Sequence, residues 1–193
     1  MNKTKIEWTD YKAGYIAGIT AGDGTFRFTE KEIPYQAIQR YWRIALKDEI
    51  ILKRLRQYLR KLGIRLDIKS FSGKGMQKIE TRRFDILKKI LKILNPPFET
   101  PPYKKGYLAG IFDAEGNWYR SNLRIYNSNP HIIKRLILIT KELGFTFTEE
   151  KYPSKKANGV RLRGDRFDQA KFLCVIKSVK SRWYLRHIFW NNK

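Results

Sequence analysis

Gly14-Tyr15-Ile16-Ala17-Gly18-Ile19-Thr20-Ala21-Gly22-Asp23-Gly24 returns 92 residues later as Gly106-Tyr107-Leu108-Ala109-Gly110-Ile111-Phe112-Asp113-Ala114-Glu115-Gly116. Gly14, Tyr15, Ala17, Gly18, Ile19 and Gly24 recur identically, and Asp23 becomes Glu115. Leu62-Gly63-Ile64 is echoed by Leu143-Gly144-Phe145, and Arg83-Phe84-Asp85 by Arg166-Phe167-Asp168. Echoes in one order indicate a duplicated module. The halves are residues 1–95 and 103–193, with 96–102 between them. Four prolines within Asn95–Pro102 exclude helix interior and central strand, so this stretch reads as a stiff extended linker.

Within module one the pattern predicts a helix over Tyr11–Ala21, ended by Gly22 and Gly24. Thr25–Thr29 alternates as a strand, and Tyr41–Leu46 makes a second. A helix over Asp48–Leu62 stops at Gly63. Ile64–Lys69 alternates again, Gly73-Lys74-Gly75 turns into a fourth strand, and Asp85–Leu94 is helical. Module two repeats this, with strands near 117–120, 122–127, 145–151 and 160–164, and helices near 103–114, 130–143 and 166–177. A last helix near 179–190 has no counterpart. The fold class is α+β: αββαββα twice, with two antiparallel sheets.

The repeated helices carry small residues on one face: Gly14, Ala17, Gly18 and Ala21, then Gly106, Ala109 and Gly110, joined by Asp113. Glycine costs about 1 kcal/mol against alanine inside a helix, so its repetition implies close backbone packing. Parallel packing would bring Asp23 and Glu115 together, where the helix dipoles are also negative. Such a pair is unfavourable alone and favourable around a divalent cation. Free carbonyls at Gly22 and Ala114 would add oxygen ligands, and oxygen ligation suits Mg²⁺. Asp113 reads as packing or capping at the helix interface.

The 193 residues include 41 Lys and Arg against 18 Asp and Glu, a net charge of +23. That excess calls for a polyanionic partner, and 14% aromatics argue against a disordered basic tail. One cysteine, Cys174, excludes an intrachain disulfide. With His131 and His187 it cannot build a zinc finger. No apolar run reaches the 18–20 or so residues of a membrane span, and no signal core follows Met1. The expected setting is cytoplasm or an organellar matrix. His131 and His187 read as structural or surface residues, and Cys174, Trp183 and Trp190 as core. Sparse Cys and Met with a Pro-rich linker hint at a thermophile.

Ile16–Gly24 and Leu108–Gly116 resemble the two motifs of a single-chain LAGLIDADG homing endonuclease. The second copy is very close; the first departs at Thr20 and Gly22 but keeps the final acid and glycine. The resemblance spans nearly the whole chain. It implies a saddle of two pseudo-symmetric αββαββα halves, with the motif helices between them and the sheets over double-stranded DNA. It implies a monomer that binds two or three Mg²⁺ ions between Asp23 and Glu115 and cuts each strand once across the minor groove, leaving short 3′ overhangs. The host would be an intron, and an embedded intein form is less expected because no splicing block flanks the chain. A maturase on the same fold, binding intron RNA, is the alternative, and a silent DNA-binding regulator a third. The intact acids favour cleavage.

Alternation places Thr25, Arg27, Thr29, Lys31, Tyr41, Arg43, Arg65, Asp67, Lys69, Lys78, Glu80 and Arg82 on the outer sheet face of module one. In module two it places Asn117, Tyr119, Asn122, Arg124, Tyr126, Thr146, Thr148, Arg161 and Arg163 there. This mixture suits base edges, where lysine alone would suit phosphates. Strands of about eight residues would span roughly 26 Å, for a site of roughly 16–20 bp. The halves differ at many of these positions, so the site should be asymmetric. By resemblance, the end of the second strand carries groups that position water: Leu46-Lys47 in one half, Asn127-Ser128 in the other. Lys47 would stabilise phosphorane charge and Asn127 hold a water. Leu46 departs from the usual polar residue, against a symmetric mechanism. Lys180 resembles the basic residue at the family's active-site edge.

Overall fold

The computed structural model describes residues 8–28, 40–71, 75–152 and 157–190. The first half runs α1 (Tyr11–Asp23), β1 (Gly24–Arg27), β2 (Tyr41–Leu46), α2 (Glu49–Lys61), β3 (Ile68–Ser70), β4 (Gln77–Thr81) and α3 (Phe84–Leu94). The second runs α4 (Pro101–Glu115), β5 (Gly116–Tyr119), β6 (Asn122–Asn127), α5 (Pro130–Glu142), β7 (Phe147–Tyr152), β8 (Ala157–Leu162) and α6 (Arg166–Ile176), then α7 (Ser181–Trp190). This is αββαββα twice plus one helix, as the sequence predicts. Each half holds a four-stranded antiparallel sheet, ordered β1-β2-β4-β3 and β5-β6-β8-β7.

Gly24 pairs with Ile44 and Gly116 with Ile125, so Arg43 and Arg124 are equivalent, as are Leu46 and Asn127. Trp42, Ile44 and Ile79 are buried on one side, as are Leu123, Ile125 and Val160. The helices cover those inner faces. In α2, Ile51, Leu52, Leu55 and Leu59 form the buried stripe, each worth about 1.5–3 kcal/mol on full burial. Asp48 caps the helix by accepting from the Ile50 and Ile51 amides. Gly63, at φ +70°, supplies the left-handed turn after it.

The seam between the halves is built from backbone. A methyl added at Gly14 would lie 2.0 Å from the Tyr103 carbonyl oxygen, and one at Gly106 would lie 2.0 Å from that of Tyr11. Gly18 meets the Tyr107 carbonyl at 2.0 Å and Gly110 that of Tyr15 at 2.1 Å, measured the same way. The contacts climb both helices together, so α1 and α4 are parallel and their C-termini meet.

Several expectations change. Helix α1 continues to Asp23, because Gly22 is a packing position: a methyl there would strike the Ala114 Cβ at 2.5 Å. The linker is shorter, since Pro101 and Pro102 form the first turn of α4 behind the cap Thr100. A first-turn proline forfeits only an amide that has no helical partner. Strand β3 begins at Ile68, leaving Arg65 and Asp67 outside it, and Thr146 and Arg163 flank their strands. Thr29, Lys31, Gly73 and Lys74 lie outside the described residues. The described strands run three to six residues, about 20 Å at most, below the length expected. Cys174 is exposed because it stands off the Gln169–Phe172–Leu173–Ile176 stripe of α6. Trp183 is 45% exposed, off the face of Tyr184, Leu185 and Ile188 that packs inward. The Trp190 side chain is outside the described set. His131 and His187 are exposed, as expected. Among the described residues no helix is long and apolar enough to cross a membrane.

Candidate active centre and nucleic-acid face

Asp23 ends α1 and Glu115 ends α4. The next residue of each, Gly24 or Gly116, donates its amide to Thr20 or Phe112 one turn back and starts the first strand. Both carboxyls are raised above their ordinary pKa values. Burial is the first cause for each; Lys180 opposes it at Asp23, and the charge of Asp23 adds to it at Glu115. Asp23 keeps solvent access, while Glu115 is half-buried.

Lys180 stands beside this pair. Its Nζ donates to the Gly116 carbonyl at 2.9 Å and, at 3.4 Å, reaches that of Ala114. Burial lowers its pKa, and Asp113, Asp23 and Glu115 oppose that. Asp113 fixes its position. This carboxylate, 1% exposed, accepts from Tyr15 Oη at 2.8 Å, the Val179 amide at 2.9 Å and the Lys180 amide at 3.0 Å. Asp113 is therefore an anchor, and its equivalent in α1 is Ala21, which accepts nothing through its side chain.

The flanks differ elsewhere. Thr20 accepts from the Trp42 indole at 3.1 Å and donates to the Ile16 carbonyl at 2.6 Å. The equivalent pair, Phe112 and Leu123, is wholly apolar and buried. Thr20 departs from the motif because a buried indole N–H needs an acceptor.

Among the described residues, no group of three His, Cys, Asp or Glu side chains gathers as a metal centre. The donors at the helix ends are two carboxylates and main-chain carbonyls, and the Ala114 carbonyl already faces Lys180. One exposed and one half-buried acid, both with raised pKa values, are an under-compensated anionic pair. That donor chemistry fits a hard divalent cation.

Of the other expected catalytic residues, Lys47 is exposed and makes no hydrogen bond or ion pair to the acids. Asn127 is buried at the end of β6, and its Oδ1 accepts from the Asn129 amide at 2.8 Å, in front of α5. Leu46 is half-buried.

On the outer face of the first sheet, Thr25, Arg27, Tyr41, Arg43, Lys69, Lys78 and Glu80 share one side by strand register, while Arg82, expected with them, lies one residue past the end of β4. Arg43 Nε donates to Glu80 at 2.6 Å, and Lys78 reaches the same carboxylate at 3.3 Å. Arg43 lies over the Tyr41 and Phe71 rings, at 5.0 and 5.2 Å. In the second sheet Asn117, Tyr119 and Arg163 are exposed and Asn122, Tyr126, Thr148 and Arg161 half-buried, but Arg124 is only 7% exposed. Arg124 Nε donates to Glu150 at 2.8 Å and its Nη1 to the Tyr119 carbonyl, while Arg161 pairs with Glu150 at 3.1 Å. Glu150 and Phe71 were not anticipated; extending the Thr146–Thr148 alternation by one step reaches Glu150.

No family model matches the sequence, and no curated protein matches it. Its fold is the two-domain LAGLIDADG architecture. Among solved structures, the homing endonuclease I-DmoI in complex with DNA and Ca superimposes with TM-score 0.70 at 18% identity, covering 94% of this chain and 100% of that one. I-DmoI in complex with DNA and Mn gives 0.67 at 17%, over 88% and 97%. Full-length DUF199/WhiA from Thermatoga maritima gives 0.68 at 15%, over 100% of this chain and 63% of that one.

Proposed function

We propose that the protein is a divalent-metal-dependent, site-specific double-strand DNA endonuclease of the intron-homing kind, acting as a monomer on a long asymmetric site. The carrying observation is the retention of an acid at both helix ends, Asp23 and Glu115, with both pKa values raised by burial. Binding of DNA or RNA alone would not need that costly arrangement. The net charge of +23 and the mixed polar faces of the sheets support a nucleic-acid partner. The I-DmoI structures described above hold DNA with Mn or Ca, which supports a divalent ion here.

Asp23 and Glu115 would hold Mg²⁺, with main-chain oxygen at Gly22 or Ala114 completing the set. When bound, the ion supplies a polarised phosphate and an activated water. Lys180, held by Asp113, sets positive charge beside the reacting phosphate and compensates the pentavalent state. The sheets fix the register of the duplex by Arg and Lys contacts and read bases through Arg, Asn and Thr.

The test is cleavage of genomic DNA from intron-free relatives, in Mg²⁺ or EDTA, with the new termini sequenced. Recurrent Mg²⁺-dependent breaks at one long site are expected. Asp23→Asn and Glu115→Gln should each slow cleavage by about 10³-fold, the equivalent of several kcal/mol of lost charge stabilisation. No breaks in a pool that contains the uninterrupted allele would reject the nuclease, and retained intron RNA binding would then identify a maturase.

A further inference from the structure

We propose that Arg43 reads one guanine base through its Nη edge, with Glu80 as its positioning residue, and that the equivalent Arg124 is an internal brace that reads no base. This rests on the reading of the sheets as a DNA face.

An arginine reads guanine when both Nη groups reach O6 and N7 together. That demands a guanidinium held in one plane and one place, with its outer edge uncommitted. Arg43 meets each demand. It stands directly across the strands from Glu80. Its Nε is spent on the Glu80 carboxylate at 2.6 Å. Two rings flank it, Tyr41 at 5.0 Å and Phe71 at 5.2 Å. Its side chain is 28% exposed, and among the described residues no hydrogen bond engages either Nη atom. Glu80 stays ionised: burial works against it, but hydrogen bonds from Arg43 and Lys78 take its pKa below the usual value.

Arg124 occupies the same register position in the other sheet and begins the same way, with Nε on a glutamate. That glutamate, Glu150, comes from β7 and is shared with Arg161. Arg124 then spends Nη1 on the Tyr119 carbonyl and leaves its side chain only 8% exposed. The same residue type therefore presents a reading edge in one half and ties β6 to β7 across β8 in the other. A guanine is favoured because its two acceptors match the fork, whereas adenine presents a donor at the same place. A phosphate would also accept the fork but carries no sequence information.

The experiment selects bound duplexes from a randomised library in Ca²⁺, with wild type, Arg43→Gln, Arg43→Lys, Glu80→Gln and Arg124→Gln. Thermal melting confirms that each variant folds. Wild type should enrich guanine at one position of the first half-site by roughly tenfold or more. Arg43→Gln should erase that one preference and leave the others, and lysine should not restore it. Glu80→Gln should relax the same position alone, which a general loss of structure would not do. Arg124→Gln should leave the guanine preference in place; if it fails to fold, the Arg43 and Glu80 arms still decide. Uniform weakening by Arg43→Gln, with every preference intact, would make it a phosphate contact and overturn the assignment. Enrichment untouched by Arg43→Gln would also overturn it while sparing the DNA-face reading. A wild-type pool with no enriched position would overturn both.

Discussion

Two zones of one molecule obey different rules. Along the seam, equivalent glycines of α1 and α4 meet equivalent carbonyls at distances that agree within 0.1 Å. A few ångströms away the equivalence stops. Thr20 and Trp42 correspond to Phe112 and Leu123, Ala21 corresponds to Asp113, and Lys180 donates to the Gly116 carbonyl after α4. Backbone contact with no room for a Cβ admits one solution, so both copies keep it. Side-chain packing admits many, so the copies have diverged.

The largest effect should come from the seam. Gly18→Ala and Gly110→Ala each place a methyl about two ångströms from a carbonyl that belongs to a helix and cannot rotate away. Each should lose about 3 kcal/mol by chemical denaturation, at the upper end of overpacking costs. Near-equal losses would sharpen the comparison; a loss in only one would break it. A middle effect should come from the flank. Thr20→Val removes the acceptor of a fully buried indole and should cost about 1–2 kcal/mol. Combined with Trp42→Phe, which costs stability of its own through the cavity it leaves, it should lose less than the sum of the two single losses, because no donor is then stranded.

The smallest effect concerns the paired acids. Burial, with the charge of Asp23 added at Glu115, raises both carboxyls in the folded state. The folded chain then binds these protons more tightly than the unfolded one. Stability from this source is present at low pH and is lost as pH rises through the raised folded values. Glu115→Gln should therefore raise the melting temperature at neutral pH without divalent ions, by roughly 1–2 °C. The gain should shrink as pH falls into the carboxylate range. An unchanged difference from pH 4 to 7 would show that the Glu115 carboxyl is not raised in the folded state.

Backbone-dominated features were the legible ones. The repeat of small residues foretold the parallel helices, and alternation in Tyr41–Leu46 and Asn122–Asn127 gave strands at those bounds. Asp23 and Glu115 are legible as neighbours because their chain positions fix them at helix ends, whereas Lys180 is reached only through the resemblance. What escaped depends on partners distant in sequence. Gly22 looks like a terminator until Ala114 is opposite it. Asp113 looks like a generic interface acid until the amides of Val179 and Lys180 arrive from 66 and 67 residues away. Arg43 and Arg124 are indistinguishable by alternation, and only their glutamates separate them. Cys174 and Trp183 are hydrophobic in kind but stand off the helical stripes that face the core, so residue type alone does not place them.

Gly22 and Ala114 carry a consequence for how the halves choose each other. They occupy equivalent positions and meet on the pseudo-axis, with space for one methyl between them. Were the chain cut in its Asn95–Glu99 connection, each half would still present the same glycine ladder to any copy. Two first halves would leave a gap on the axis, two second halves would collide, and only the mixed couple would fill it. A single methyl then marks identity on a glycine ladder that is itself blind to it, alongside the one hydrogen bond from Tyr15 to Asp113 that the first half cannot offer in return. The covalent connection does the remaining matchmaking, which frees the two sheets to drift toward different sequences.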